Sequence, residues 1–262
     1  MEIIWLASYP KSGNTFLRAL LHSYFFEPMS DNSAAVDERI PDIHKLARDN
    51  KGLNEALNQT CFVKTHFMMS EKHPYQLSTK GFIYVLRNPR DILHSAARYL
   101  GANGTKETMA SFAGDFINGR GWSGWQDAGF GDWVEHLGSW LTASSKVPHL
   151  FLKYEDLRQD ARGQMLRVLN FLNSSVDDEK LDLTIRCCTI ESMRALEATE
   201  KAKLLPTLFD ELINIYRPEE KNEQPFVGEG LINQSLDLDG TGLLERAYTD
   251  RFGKVTGLFG YY

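Results

Sequence analysis

The stretch from Trp5 to Leu21 reads WLASYPKSGNTFLRALL. An apolar run ends at Ala7, Ser8-Tyr9-Pro10 breaks it, Lys11 and small residues follow, and an amphipathic pattern begins at Thr15. That order predicts a buried strand, a tight loop and a helix. Four short β-rich apolar runs, at 3–7, 61–64, 82–86 and 150–153, are nearly continuous, as strands covered on both faces require. Helical patterns at 15–25, 91–100, 133–144, 160–172 and 191–203 fall between or after them. The alternation predicts a three-layer α/β/α fold with a central parallel sheet, expected as one domain over residues 1–262, and the loop at Lys11 makes it P-loop nucleotide-binding-like.

In such a sheet ligands bind beyond the carboxyl ends of the strands. The Tyr9–Thr15 loop sits at one of these ends. The helix after it turns free N–H groups and partial positive charge toward the same place. Gly13 permits close backbone approach, Lys11 adds a charge, and Asn14 and Thr15 add side-chain donors. This describes a phosphate cradle, though not GxxxxGK[ST], since its one glycine follows the lysine. The bland alternative is a helix start with a solvated lysine. The second strand ends in Val63-Lys64-Thr65-His66 and the third in Leu86-Arg87-Asn88-Pro89-Arg90-Asp91, with Ser95 in the next helix. Lys64, His66, Arg87 and Arg90 therefore share the rim with the loop. A histidine there is a candidate general base, an arginine fork suits phosphate, and Asp91 could cap its helix. No strand end carries an aspartate placed for Mg²⁺, which counts against a kinase or nucleotide hydrolase.

Bulk properties are those of an ordinary soluble globular protein. Hydrophobic residues make up 42% and the formal charge is −6, against a nucleic-acid binder driven by overall charge. The three cysteines, Cys61, Cys187 and Cys188, show no disulfide or zinc spacing. No apolar run approaches the ~20 residues of a membrane span, and the first strand begins too early for a signal peptide, so a cytoplasmic protein is expected. Residues 101–131 combine eight glycines with Phe112, Phe116, Trp122, Trp125 and Phe130, and read either as a mobile insertion over a pocket or as a surface loop pinned by aromatics. A second long loop is expected near 205–240.

Together these residues resemble the sulfotransferases that use 3′-phosphoadenosine 5′-phosphosulfate (PAPS), of the cytosolic and bacterial type. Tyr9 to Phe16 is similar to the family's YPKSGTTW loop, Lys64-Thr65-His66 to its KTH segment, and Arg87 to Asp91 with Ser95 to its 3′-phosphate motif. Leu152 to Leu157 is similar to LKYEDL, and Gly131 to Trp140 to GSWxxHVxxW. The early WLASYPKSGNT resembles bacterial members, among them enzymes that sulfate glycopeptide antibiotics. The resemblance implies that Lys11, Ser12, Gly13, Asn14 and Thr15 hold the 5′-phosphosulfate, that Phe16 stacks on adenine with Tyr154 nearby, and that Arg87 and Ser95 bind the 3′-phosphate. It implies His66 as general base, with Lys11 and Lys64 stabilising charge on the transferred group. The product would be adenosine 3′,5′-bisphosphate, with no metal required. The partner would be a small-molecule acceptor, not nucleic acid or a membrane, and the protein a monomer or homodimer.

One element departs from the family. Where RKGxxGxW should complete the 3′-phosphate site, the chain has Phe226-Val227-Gly228-Glu229-Gly230-Leu231; Arg217, Lys221 and Arg251 are the substitutes considered. Two other readings remain at this stage: a nucleotide kinase or NTPase on a related loop, and a non-catalytic protein that binds PAPS or its bisphosphate product. The acceptor pocket is expected from residues 67–77 and the two long loops, with Trp122, Trp125, Phe112 and Tyr75 favouring an apolar or aromatic acceptor or closing a lid. His136 is expected in the core or pocket wall, Glu155 and Asp156 as braces of a strand end, Cys187-Cys188 in helix packing, and Asp177 to Glu179 at a helix start.

Overall fold

The computed structural model describes residues 2–53, 62–209, 225–238 and 240–261. The strands are β1 (Ile3–Ser8), β2 (Phe62–Thr65), β3 (Thr79–Leu86) and β4 (His149–Lys153), all parallel, in the order β2-β1-β3-β4. The helices are α1 (Asn14–Phe25), α2 (Ala35–Arg39), α3 (Ile43–Arg48), α4 (Pro89–Tyr99), α5 (Lys106–Gly119), α6 (Ser123–Asp127) and α7 (Trp133–Ser144). After β4 come α8 (Tyr154–Gln159), α9 (Ala161–Phe171), α10 (Asp178–Cys187), α11 (Ile190–Ala202) and α12 (Leu243–Leu258). Among the described residues no helix is long and apolar enough to cross a membrane.

Alternate residues of each strand feed two separate cores. Trp5, Ala7, Phe82 and Tyr84 pack on one face with Trp133 and Trp140; Leu6, Ile83, Val85 and Leu152 pack on the other with Leu17 and Leu20. Burial on both faces explains why the strands read as unbroken apolar runs rather than as alternation. From β1 the chain steps to β2 on one side, then crosses back to β3 and β4. The order reverses between β1 and β3, and a crevice opens beyond their carboxyl ends.

Residues 101–131 differ from the expected loop, because they build α5 and α6. Thr105 and Thr108 form a reciprocal capping box, and Met109, Ala113, Phe116 and Ile117, at i, i+4, i+7 and i+8, are buried. The glycines obscured that period, and Gly114 lies where an added Cβ would meet nothing within 4 Å. Of the second expected loop, residues 210–224 and 239 lie outside the described residues, as do Arg217 and Lys221. Asp177 caps α10 by accepting from Lys180 N, as its sequence suggested.

Candidate active site

The turn after β1 has an unusual backbone. Lys11 has φ 64 and Gly13, the N-cap of α1, has φ 97. A side chain at Gly13 would also strike the Tyr154 ring, with Cε2 2.7 Å from an added Cβ. Among the described residues no side chain caps α1, which leaves its first N–H groups and dipole open at the crevice. The buried Ser12 hydroxyl has no hydrogen-bond partner among the described residues. The Asn14 side chain differs from expectation: its Nδ2 donates to Leu6 O at 2.8 Å and Ser8 Oγ at 3.2 Å. It braces β1, leaving the backbone rather than this amide to face a ligand. The Lys11 ammonium lies over the Tyr99 and Phe226 rings, 4.0 and 4.3 Å from their centroids.

Arg87, at the end of β3, spans the crevice. Its Nη1 donates to Lys11 O at 2.8 Å, its Nη2 to Leu231 O at 3.0 Å, and its guanidinium stacks 4.1 Å from the Tyr154 ring centroid. Asn88, not Asp91, caps α4, accepting from Arg90 N at 3.0 Å. Asp91 instead accepts from Asn233 N at 2.9 Å and Gln234 N at 3.0 Å. Glu155 braces the strand end as expected, accepting from Asn88 N at 3.0 Å and the Tyr261 hydroxyl at 2.9 Å. Burial pushes the Glu155 carboxyl up from its ordinary value.

The departing segment near Gly228 is held through its backbone. Glu197 accepts from Phe226 N at 2.6 Å and Val227 N at 2.9 Å, while Arg98 donates to Phe226 O at 2.8 Å and to Pro225 O. Such backbone bonds place little demand on the identity of the side chains at 225–227. The nearby cations come from helices: Arg98, Arg158 and Arg194 line the same cavity as Arg87 and Ser95. The sequence reading did not single these out, and their only signal was position on faces turned to the crevice. Arg251 is engaged elsewhere, donating to Asn118 O.

A cavity of about 330 Å³ brings together Lys11, Gly13, Asn14, Thr15, Phe16, Lys64, His66, Arg87, Ser95 and Tyr154. At its deep end His66 follows β2. Its Nδ1 is 2.7 Å from Ser8 O. A carbonyl only accepts, so Nδ1 carries the proton and Nε2 keeps its lone pair. Burial, with Lys64 next, holds the His66 pKa well below its ordinary value and the ring neutral. The Lys64 ammonium pairs with Asp42 Oδ2 at 2.6 Å. Burial lowers the lysine's pKa against the opposing pull of Asp42. Of the aromatics expected at the acceptor side, Trp125 lines this cavity, joined by Phe130. Tyr75 is 39% exposed and accepts from Leu53 N at 3.2 Å, while Phe112 and Trp122 pack around Tyr99 and Leu100.

Over residues 2–225 the chain matches the sulfotransferase domain. The chain belongs to the sulfotransferase family. It is 29% identical over 219 residues to human sulfotransferase 2B1, covering 79% of this chain and 56% of that protein. With the amine sulfotransferase of Oryctolagus cuniculus it shares 25% over 207 residues, 73% of this chain and 62% of that protein. The chain thus spans about 56–62% of the length of these two relatives. Mouse sulfotransferase SULT7A1 complexed with PAP superposes with a TM-score of 0.61 at 20% identity, covering 98% of this chain and 85% of that one. Retinol dehydratase in a complex with retinol and PAP gives 0.64 at 19%, covering 95% and 81%. These sulfotransferase-like folds share the sheet and its flanking layers.

Proposed function

We propose that the chain transfers a sulfuryl group from PAPS to a hydroxyl or amine of a small molecule, with His66 as general base. The observation that carries this is the His66 tautomer. Ser8 O fixes the proton on Nδ1 and leaves the lone pair on Nε2 of a residue that lines the same cavity as the proposed α1 phosphate loop.

The residues fit the nucleotide. The uncapped α1 N-terminus and the partnerless Ser12 hydroxyl suit a 5′-phosphosulfate, and Gly13 and Thr15 belong to the same turn. Phe16 and Tyr154 offer aromatic faces for adenine. Arg87 and Ser95 would hold the 3′-phosphate, with Arg158 and Arg194 beside them in place of the missing loop cations. Arg87 Nε and Arg158 Nε are buried without partners among the described residues, which suits walls built for an anion. PAPS supplies an activated sulfuryl group whose transfer resembles in-line phosphoryl transfer, so the protein mainly positions and neutralises. His66 Nε2 takes the acceptor's proton as the new bond forms, a role typically worth ~10²–10⁴-fold in rate. Lys11 would add positive charge at the transferred group, and Lys64 lines the same cavity with its own charge offset by Asp42. Trp125 and Phe130, 3% exposed each, wall the His66 end and favour a flat, apolar acceptor such as a phenol or fused-ring alcohol.

His66→Ala tests the assignment. With PAPS and a panel of phenols and alcohols it should abolish transfer while leaving adenosine 3′,5′-bisphosphate binding within about twofold. Normal turnover by this variant would remove His66 from the mechanism.

A further inference from the structure

Beyond Thr65 the sheet ladder ends, so the N–H and C=O of His66 have no strand partner. Buried backbone groups still need hydrogen bonds. Here two imidazoles supply them. His66 N donates to His44 Nε2 at 2.8 Å, and His136 Nε2 lies 3.1 Å from His66 O.

The chemistry of each partner fixes both tautomers. His44 Nε2 faces an N–H and must accept, so its proton sits on Nδ1. His136 Nε2 faces a carbonyl and must donate, so its Nδ1 is the acceptor. That Nδ1 is 2.9 Å from the Tyr84 hydroxyl, which donates to it. Both rings are locked in place. His44 lies 4.4 Å from the Phe67 ring centroid and 5.0 Å from Phe130, and it stacks on His66 at 5.6 Å with planes 17° apart. Asp42 Oδ1 accepts from His44 N at 2.9 Å, anchoring the start of α3. His136 is fully buried on α7 and meets Tyr9 edge-on at 5.6 Å.

We infer that His44 and His136 are positioning residues that clamp the His66 peptide from both sides and so aim its Nε2 at the acceptor. This rests on the proposed role of His66. With Ser8 O on Nδ1, the clamp makes three fixed points around one residue, one on its ring and two on its backbone. A packed core alone does not call for imidazoles at these two positions, since apolar rings of similar size would fill them. What the imidazoles add is one acceptor and one donor aimed at a single residue. Misplacing a reacting group by about 1 Å can cost roughly 10²-fold in rate, so slack in this clamp should be visible in turnover.

Paired substitutions test the clamp. Glutamine places its terminal amide where the histidine Nε2 lies, so His136→Gln can still donate to His66 O and His44→Gln can still accept from His66 N. Asparagine is too short for either bond. We expect His136→Asn and His44→Asn to lower kcat at least tenfold with adenosine 3′,5′-bisphosphate affinity within about twofold, and the glutamine variants to recover most of the rate. A second readout needs no acceptor. In ¹⁵N-histidine spectra, wild type and glutamine variants should show His66 as a single Nδ1–H tautomer, and the asparagine variants a mixture. Asparagine variants with the wild-type tautomer and rate would overturn the clamp, as would equal losses for asparagine and glutamine. Failure of wild type to bind the bisphosphate would instead sink the sulfotransferase reading, and the spectra would still decide the clamp.

Discussion

Replacing Gly13 by alanine tests the proposed phosphate turn and the proposed adenine wall together. Gly13 holds φ 97 and ψ 18, in the left-handed region. A residue with a Cβ pays roughly 1–2 kcal/mol there. The new methyl would also enter the Tyr154 ring, 2.7 Å from Cε2. Overpacking of this kind adds about 1–3 kcal/mol. The sum, roughly 2–5 kcal/mol, corresponds to a Tm lower by about 4–20 °C at the ~2–4 °C per kcal/mol of large domains. Tyr154 must move to admit the methyl, and Arg87 then loses the ring 4.1 Å beneath its guanidinium. Adenosine 3′,5′-bisphosphate affinity should therefore fall at least tenfold, a change of about 1.4 kcal/mol. Gly114→Ala is the control, since that position in α5 has nothing within 4 Å of an added Cβ. It should raise stability by up to about 1 kcal/mol through helix propensity. Calorimetric melting and titration of both variants read the outcome. A Gly13→Ala protein with wild-type Tm and an unchanged Kd would refute the close packing of Tyr154 on the turn.

Arg87→Ala should weaken adenosine 3′,5′-bisphosphate far more than adenosine 5′-phosphate in parallel titrations; equal losses would remove Arg87 from the 3′-phosphate site. Acid should unfold the protein early. Burial holds the folded-state pKa of His44 at about 4 and that of His136 at about 3, both below the ordinary histidine value. The unfolded chain therefore binds protons first as pH falls. The stability from these neutral rings is complete above about pH 6.5 and is lost below it, on the order of 2 kcal/mol per ring by pH 5. Urea midpoints at pH 7 and pH 5 measure this, and equal midpoints would contradict it.

The strand ends were legible because three consecutive strands stop in polar, loop-forming residues, and a parallel sheet brings those stops to one rim. The α5 helix was not, because Gly114 and Gly119 interrupt its composition while its apolar spacing and the Thr105 cap carry the structure. The α12 helix was missed for a similar reason: it begins at Gly242 without a side-chain cap and contains Gly253 and Gly257. Asp91 read as a helix cap because that role is local; its partners, Asn233 and Gln234, lie more than 140 residues away. His44 gave no signal at all, since its hydrogen bond to His66 joins separate elements and nothing near His44 announces it. The helix-borne arginines at the cavity share this problem, because side chains that meet across a crevice leave no spacing rule in the chain.

Calorimetric titration with adenosine 3′,5′-bisphosphate, without magnesium and beside ATP, tests the central claim most directly. The account predicts tight bisphosphate binding and much weaker ATP binding, since Arg87 and Ser95, the proposed 3′-phosphate partners, line the cavity and ATP carries no 3′-phosphate for them. Absence of bisphosphate binding, or a preference for ATP with magnesium, would contradict it.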